Sequence, residues 1–265
     1  MKNKETLSFL FITCFVFSNW WCQSQTTNKE NLKQIDIENY LRTAKIVSVE
    51  KDQEAGRTAP WSITLDDGEI VEQGFFKHVN APRPTMFLPD SYKYELAAYE
   101  LNKLLDLNIV PPVVEREIEG IKGSIQQYIK NFIIESDRKR RNIEPPDPKN
   151  FENTLEEIKI FENLVYDECL DTDDIFIQTE DWKVWRVDFS EAFSPSSELL
   201  PGCKIRRCSK KLYKNLQKLD NDSIKAKLKL YLNDEEIKTL LIRKKILLDK
   251  IKQLIEEKGE ESVLF

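Results

Sequence analysis

The spacing of apolar residues changes along this chain, and that change constrains the fold more than any other feature. Trp61 to Leu65 alternates apolar and polar residues, as strands with one buried face do, and Ile70 to Lys77 is a second strand candidate. The turn residues Asp66, Asp67 and Gly68 lie between them and predict an antiparallel hairpin. From residue 151 onward, apolar residues recur at the three- and four-residue steps of helices. The chain is therefore predicted to be α+β, with a small β-rich lobe followed by a mostly helical one.

A long helix is predicted after the hairpin, over residues 91–107. Its apolar residues share one helical face, and these are Tyr94, Ala97, Ala98, Leu101, Leu104 and Leu105. Ser91 is a suitable N-cap, and Pro111 and Pro112 prevent the helix from continuing. Two carboxylates, Glu95 and Glu100, fall beside the apolar stripe.

Three further segments have strand character, namely Lys45 to Val49, Val113 to Glu117 and Ser124 to Ile129. We expect a turn at Gly120 and Gly123 to join the last two. Together with the hairpin they predict a sheet of about five strands. With a short helix over 35–41, this sheet and the long helix form a first lobe over residues 35–130.

The second half of the chain begins with a predicted exposed connector over residues 131–150, which contains a charge run and three prolines. A second lobe follows over 151–265. It is predicted to contain a helix from Phe151 to Asp167 and short strands at 175–177 and 184–187. Three more helices are predicted at 212–219, 223–231 and 234–258, with Ser223 and Asp234 as N-caps of the last two.

The amino terminus has the pattern of an export signal over residues 1–25. Lys2 and Lys4 precede an apolar run from Leu7 to Trp21 that is short for a membrane span. Three outcomes are open: lipidation at Cys22, which resembles a bacterial lipoprotein acceptor, simple cleavage near Ser24 or Gln25, and retention as an anchor. Each places the folded domain outside the cytoplasm, as a periplasmic, envelope-anchored or secreted protein. Residues 26–34 are a predicted polar linker.

Charge and cysteine content exclude some functions. Lys and Arg number 40 against 46 Asp and Glu, and this net charge of -6 argues against a nucleic-acid partner. Cys203 and Cys208 lie close together in sequence, so in an oxidising compartment we expect that they can form a local disulfide. With a single histidine in the chain, a zinc site is disfavoured.

Three short motifs follow one another along the chain. Phe75-Phe76-Lys77 ends a strand, Tyr94-Glu95-Leu96-Ala97-Ala98 lies on the next helix, and Val187-Asp188-Phe189 follows a strand of the second lobe. In this order they resemble the atypical protein-kinase-like families that include the secretory-pathway kinases and the phosphatidylinositol kinases. The resemblance implies a two-lobed protein-kinase-like fold, with a small β-rich N-lobe and a helical C-lobe.

The resemblance also implies a nucleotide site that uses ATP with Mg²⁺ or Mn²⁺. Lys77 would contact the phosphates, and Glu95 would hold it as an ion-pair partner, with Glu100 as the second choice. Asp188 would bind the metal, and Asp174 would take the place of the family's second metal ligand, an asparagine.

The sequence departs from the family where the catalytic aspartate is expected. Cys169 occupies that position, and a thiol does not accept a hydroxyl proton as a carboxylate does. Asp167, Glu168 and Asp171 are the nearby candidates for a substitute base. Two functions follow: an exported kinase-like protein that binds ATP and metal with weak or absent phosphotransfer to a protein acceptor, or an inactive pseudokinase that binds a partner in the cell envelope.

Each of these residues also has an ordinary structural interpretation. The alternative interpretation of Lys77 is an ordinary surface lysine, and that of Asp171, Asp173 and Asp174 is a solvated acidic turn. His78, the single histidine, has no partner motif and is interpreted as structural.

Overall fold

The computed structural model describes residues 37–51, 60–81 and 90–265. The predicted signal, Cys22 and the linker over 26–34 lie outside the described residues. None of the helices within these ranges is long and apolar enough to cross a lipid bilayer.

The first half of the chain forms a five-stranded antiparallel sheet with one long helix beside it. Its elements in chain order are α1 (residues 37–43), β1 (Lys45–Lys51), β2 (Trp61–Asp66), β3 (Val71–Lys77), β4 (Asn80–Ala81), β5 (Asp90–Ser91), α2 (Tyr92–Leu104), β6 (Val113–Ile118) and β7 (Ile121–Gln127). The order in the sheet is β1-β2-β3-β7-β6, while β4 and β5 pair separately. The predicted five strands and the hairpin of β2 and β3 are therefore confirmed.

The second half is mainly helical and carries a small three-stranded sheet of order β10-β9-β8. Its elements are β8 (Phe132–Ile134), α3 (Glu135–Arg140), α4 (Pro148–Val165), β9 (Ile175–Gln178), β10 (Val184–Arg186), α5 (Lys210–Lys218), α6 (Asn221–Leu228), α7 (Asp234–Lys258) and α8 (Glu260–Val263).

Three local expectations were wrong. The predicted connector over 131–150 contains β8 and α3, because β8 pairs with β9 some forty residues later, a contact that local composition does not encode. The turn between β6 and β7 is at Glu119 and Gly120, whereas Gly123 lies within β7. The helix N-caps are Asp220 and Asn233, each one or more residues before the predicted Ser223 and Asp234.

Two hydrophobic clusters hold the molecule together. The smaller one lies on the first sheet and includes Ile63, Leu65, Phe76 and Ile125, all fully buried. The larger one extends from α2 through α4 and α7. Because the apolar face of α2 belongs to the larger cluster, this helix connects the sheet to the helical half.

Polar contacts fix α2 in that place. The hydroxyl of Tyr94 donates a hydrogen bond to Glu236 on α7 at 2.5 Å. Glu100 pairs with Lys227 on α6 at 3.1 Å, so Glu100 faces the helical half and is not the partner of Lys77. The second-choice partner that the sequence left open is thereby excluded by position.

Candidate nucleotide and metal site

Lys77 is the last residue of β3, where the strand meets the junction of the two halves. Its backbone pairs with Ser124 of β7, and Gly123 lies against it. A Cβ atom at residue 123 would lie 2.6 Å from the Phe76 ring and closer still to the carbonyl oxygen of Lys77. Only glycine therefore lets β7 approach the end of β3 this closely, and that approach sets the position from which the Lys77 side chain extends.

The Lys77 ammonium group contacts two carboxylates. Its Nζ atom lies 2.5 Å from Oε1 of Glu95 on α2 and 2.7 Å from Oδ1 of Asp188. Burial opposes the charge on Lys77, but the two carboxylates outweigh it and raise its pKa above the ordinary value. The Glu95 side chain is 3% exposed, and burial raises its pKa even though Lys77 lowers it. Glu95 therefore lies within ion-pair distance of Lys77, where the resemblance expected a partner.

Asp188 lies two residues after β10 and is held by its own turn. Its backbone φ is 61°, the left-handed region that costs a non-glycine residue free energy. The hydroxyl and backbone N–H of Ser190 both donate to Oδ1, at 3.0 and 3.4 Å. Burial raises the pKa of Asp188, but Lys77 and Ser190 lower it by more than that. The net pKa is well below the ordinary value. Since these bonds all end on Oδ1, Oδ2 retains the capacity to bind a cation.

A buried arginine organises the site, and sequence reasoning missed it. Arg186 is 1% exposed and ends β10, two residues before Asp188. Its guanidinium lies 2.9 Å from both Glu162 and Asp167 and 3.3 Å from Asp174. It also donates to the carbonyl oxygen of Val187. The sequence did hold a signal for it. Arg186 lies two residues after Val184 in a strand, so both side chains point to the same buried face.

The three carboxylates around Arg186 differ from ordinary acids. Burial raises the pKa of Glu162, Asp167 and Asp174 to about 7 each, against the opposing effect of Arg186. The same carboxylates raise the pKa of Arg186, which stays charged. One guanidinium thus serves three acids, an arrangement that leaves an excess of acidic groups for a cation to neutralise.

Asp174 is the most accessible of the three acids around Arg186, with a side chain that is 30% exposed. Its carbonyl oxygen accepts a hydrogen bond from the backbone N–H of Val187 at 3.0 Å, so the residue lies beside the segment that carries Asp188. Both predicted metal ligands are therefore on adjacent strand ends. Their carboxylate oxygens are the hard donors that Mg²⁺ and Mn²⁺ prefer, so the chemistry of these residues fits such an ion.

The loop over 167–174, which contains the candidate bases, is held by a disulfide. Cys169 is bonded to Cys203, with Cα atoms 5.7 Å apart, while Cys208 is a free, buried thiol whose pKa burial raises to about 12. The predicted pairing of Cys203 with Cys208 was therefore wrong. Proximity in sequence did not select the partner, because the fold brings the loop against the segment before α5 and buries Cys208 elsewhere.

The candidate bases occupy different environments. Asp167 is buried and paired with Arg186, so its carboxylate is covered from a substrate even though its pKa is raised. The Glu168 side chain lies at the surface and is only partly covered by the protein. This partial burial and a hydrogen bond shared with Asp171 raise its pKa. Glu162 was not predicted as a site residue. Its carboxylate accepts a hydrogen bond from the backbone N–H of Leu170 at 2.8 Å, which fixes the backbone of the loop at that residue.

His78 lies outside this constellation of acids. Its ring packs against Trp61 at 4.6 Å and is stacked on Phe76 at 6.0 Å. Burial lowers its pKa. These contacts support the structural interpretation.

Comparison by sequence finds no matching family model and no matching curated protein. Comparison by structure finds many matches. The hydra Fam20 structure solved with sugar has a TM-score of 0.65 at 14% identity, and the match covers 86% of this chain and 91% of that one. The Golgi casein kinase has a TM-score of 0.61 at 13% identity, covering 86% of this chain and 76% of that one.

A bacterial protein has the same architecture. The Helicobacter pylori proinflammatory kinase CtkA has a TM-score of 0.51 at 10% identity, and the match covers 83% of this chain and 98% of that one. At such low identities the likeness concerns the fold, which agrees with the two halves and the order of elements described above. The chain therefore has the fold of the atypical protein-kinase-like proteins.

Proposed function

We propose that this protein binds ATP together with Mg²⁺ or Mn²⁺ at the junction of its two halves, and that it transfers phosphate weakly or not at all. The observation that carries the proposal is the contact of Lys77 with both Glu95 and Asp188. A lysine that is held between a helix carboxylate and a metal-binding aspartate is well placed to neutralise phosphate oxygens.

Charge balance supports a divalent cation as part of this site. Glu95, Glu162, Asp167, Asp174 and Asp188 converge here, with Lys77 and Arg186 as the cations in contact with them. A triphosphate would meet excess negative charge unless a metal ion accompanies it. Asp188 and Asp174 would hold that ion, and Lys77 would turn from Asp188 toward the phosphates as the ion takes its place.

Weak transfer follows from the residue at the position of the base. Cys169 is in a disulfide and has no proton-accepting group, and Asp167 is engaged by Arg186. Glu168 and Asp171 are the other acids within two residues of Cys169, and they are the proposed bases for any residual transfer to a protein acceptor. The alternative function, a pseudokinase that acts as a binding module in the cell envelope, is favoured by the same disulfide.

The disulfide also supports export. Such bonds persist in oxidising compartments and are rare in the cytosol. We propose a periplasmic, envelope-anchored or secreted protein, with Cys22 as the site of membrane attachment if it carries lipid.

The test is a thermal-shift titration with ATP alone, with Mn²⁺ or Mg²⁺ alone, and with both. A ligand that binds only the folded state raises the apparent stability. We expect the largest rise with ATP and metal together, and its loss in Asp188→Ala. If no condition shifts the transition, nucleotide binding is excluded and the nucleotide-free binding module is the better function. If the shift is present, a radiolabelled phosphotransfer assay separates a weak kinase from a pseudokinase.

A further inference from the structure

A groove runs between α6 and α7, on the helical half of the molecule. Its volume is about 1300 Å³, and its walls come from one face of each helix. None of the residues of the nucleotide and metal site described above lines it. The groove is therefore a separate feature of the surface.

The floor of the groove is apolar because α7 has two apolar stripes. The first stripe, which includes Leu240, Leu247 and Ile251, is fully buried in the larger cluster. The second stripe includes Leu241 and Leu248, seven residues apart on the neighbouring face, and it is only half-buried. The helices α4, α5, α6 and α8 all pack against α7, yet the face with Leu241 and Leu248 stays partly exposed. The second stripe leaves apolar surface for a further partner.

Lysines line both walls above this floor. Lys225 lies on α6 and Lys229, one turn later, is its C-cap, while Lys238 and Lys245 are two turns apart on α7; all four are exposed. Within the described part of the chain, Lys229, Lys238 and Lys245 have no carboxylate within ion-pair distance. Lys225 forms one exposed ion pair, with Asp222 at 3.4 Å.

The charge of this region is opposite to that of the whole protein. The chain carries a net charge of -6, yet residues 201–265 contain 17 Lys and Arg against 10 Asp and Glu. Asp234 and Asp249 are the acidic residues that line the groove, and the four exposed lysines outnumber them. A partner with acidic flanks is therefore attracted, and its orientation is set by the two lysine rows.

We propose that this groove binds an acidic amphipathic helix of a partner protein. An apolar floor between two cationic walls is complementary to a helix whose apolar stripe is flanked by Asp and Glu. Lys238 and Lys245 are separated by about 10 Å along α7, which corresponds to two turns of a partner helix. A flat membrane surface would touch the lysines and leave the recessed floor uncovered, so the concave shape favours a helix over a lipid headgroup layer.

The test uses the full-length protein and a fluorescent peptide of about 18 residues, with Leu at helical spacing flanked by Glu. A peptide of the same composition in scrambled order has the same charge without the stripe. The protein variant is Lys238→Glu with Lys245→Glu. The matched control is Lys214→Glu with Lys218→Glu, two exposed lysines of α5 that do not line the groove.

We expect saturable binding of the amphipathic peptide by fluorescence anisotropy, at least tenfold weaker binding of the scrambled peptide, and at least a tenfold loss in the groove variant. The control variant should bind as the parent does, and both variants should keep the parent's melting temperature because the changed residues are exposed. Equal binding of the two peptides, equal loss in both variants, or no binding would overturn the proposal. Binding to phosphatidylserine vesicles that depends on Lys238 and Lys245, without peptide binding, would assign the surface to lipid and also overturn it.

Discussion

The sulfur of Cys169 is bonded to that of Cys203, so the loop over 167–174 is tied to the segment before α5. This bond closes the loop under Asp174 and removes a thiol from the site. It therefore restrains the loop over 167–174, which carries the candidate metal ligand Asp174.

Loss of this disulfide should destabilise the fold. Because the two cysteines are 34 positions apart, Cys169→Ser with Cys203→Ser should lower the free energy of unfolding by about 4 kcal/mol, through greater freedom of the unfolded chain. Urea denaturation measures the change. Cys208→Ser is the control for thiol chemistry as such, and non-reducing peptide mapping should link the peptides of residues 169 and 203. A link between 203 and 208 would contradict the structure.

Removal of the Lys77 ammonium should cost stability as well as nucleotide binding. Lys77→Met leaves Glu95 buried without its cation, and breaking such a buried pair costs about 3 kcal/mol. Lys130→Met is the matched control, because Lys130 and Glu72 form an ion pair of the same 2.5 Å length on the surface. Exposed pairs contribute at most about 1 kcal/mol. Equal losses in the two variants would show that Lys77 is not a buried partner.

Arg186 should be the most sensitive charged residue of the site. Arg186→Met leaves Glu162, Asp167 and Asp174 without their shared cation, and we expect a loss of about 3–5 kcal/mol. Adding Glu162→Gln to that variant should restore part of the stability, since one buried charge is then removed. Thermal unfolding of the parent, the single and the double variant measures this. Additive losses would refute the charge-balance argument.

Binding of the metal should depend on pH near neutrality. Burial raises the pKa of Asp174 to about 7, so this carboxyl is mostly protonated at pH 6 and mostly ionised at pH 8. A metal ion displaces the proton, and affinity for Mn²⁺ should therefore rise about tenfold over this range. In the absence of metal the sign is reversed: the folded state holds the proton more tightly than the unfolded state, so this group's contribution to stability falls as pH rises from 4 through 7. Asp174→Asn should flatten the pH dependence of Mn²⁺ binding. It should only reduce that of the melting temperature, because Glu162 and Asp167 have raised pKa values in the same range.

Gly123 should be intolerant of a side chain. Gly123→Ala places a Cβ atom against the carbonyl oxygen of Lys77 and the Phe76 ring, so β3 and β7 must move apart where the site is built. We expect a destabilisation of about 1–3 kcal/mol and weaker nucleotide binding. Gly68→Ala, in the open hairpin turn with φ 92°, is the control: it strains only its own turn and should leave the nucleotide affinity unchanged.

Local sequence determined much of this molecule. The change from alternating to helical spacing predicted the β-rich and helical halves, and the motifs around Lys77, Glu95 and Asp188 predicted the resemblance to kinase-like proteins. These signals are short-range: periodicity over ten residues reports which face of an element is buried, and turn residues report where it ends.

Tertiary structure alone decided which distant residues meet. The pairing of Cys169 with Cys203, the three carboxylates around Arg186 and the strand β8 all depend on contacts between segments that are far apart in sequence. The choice of Glu95 over Glu100 depends on which side of α2 faces the sheet. A side chain's nearest partner in space is set by the packing of whole elements, and that information is absent from its neighbours along the chain.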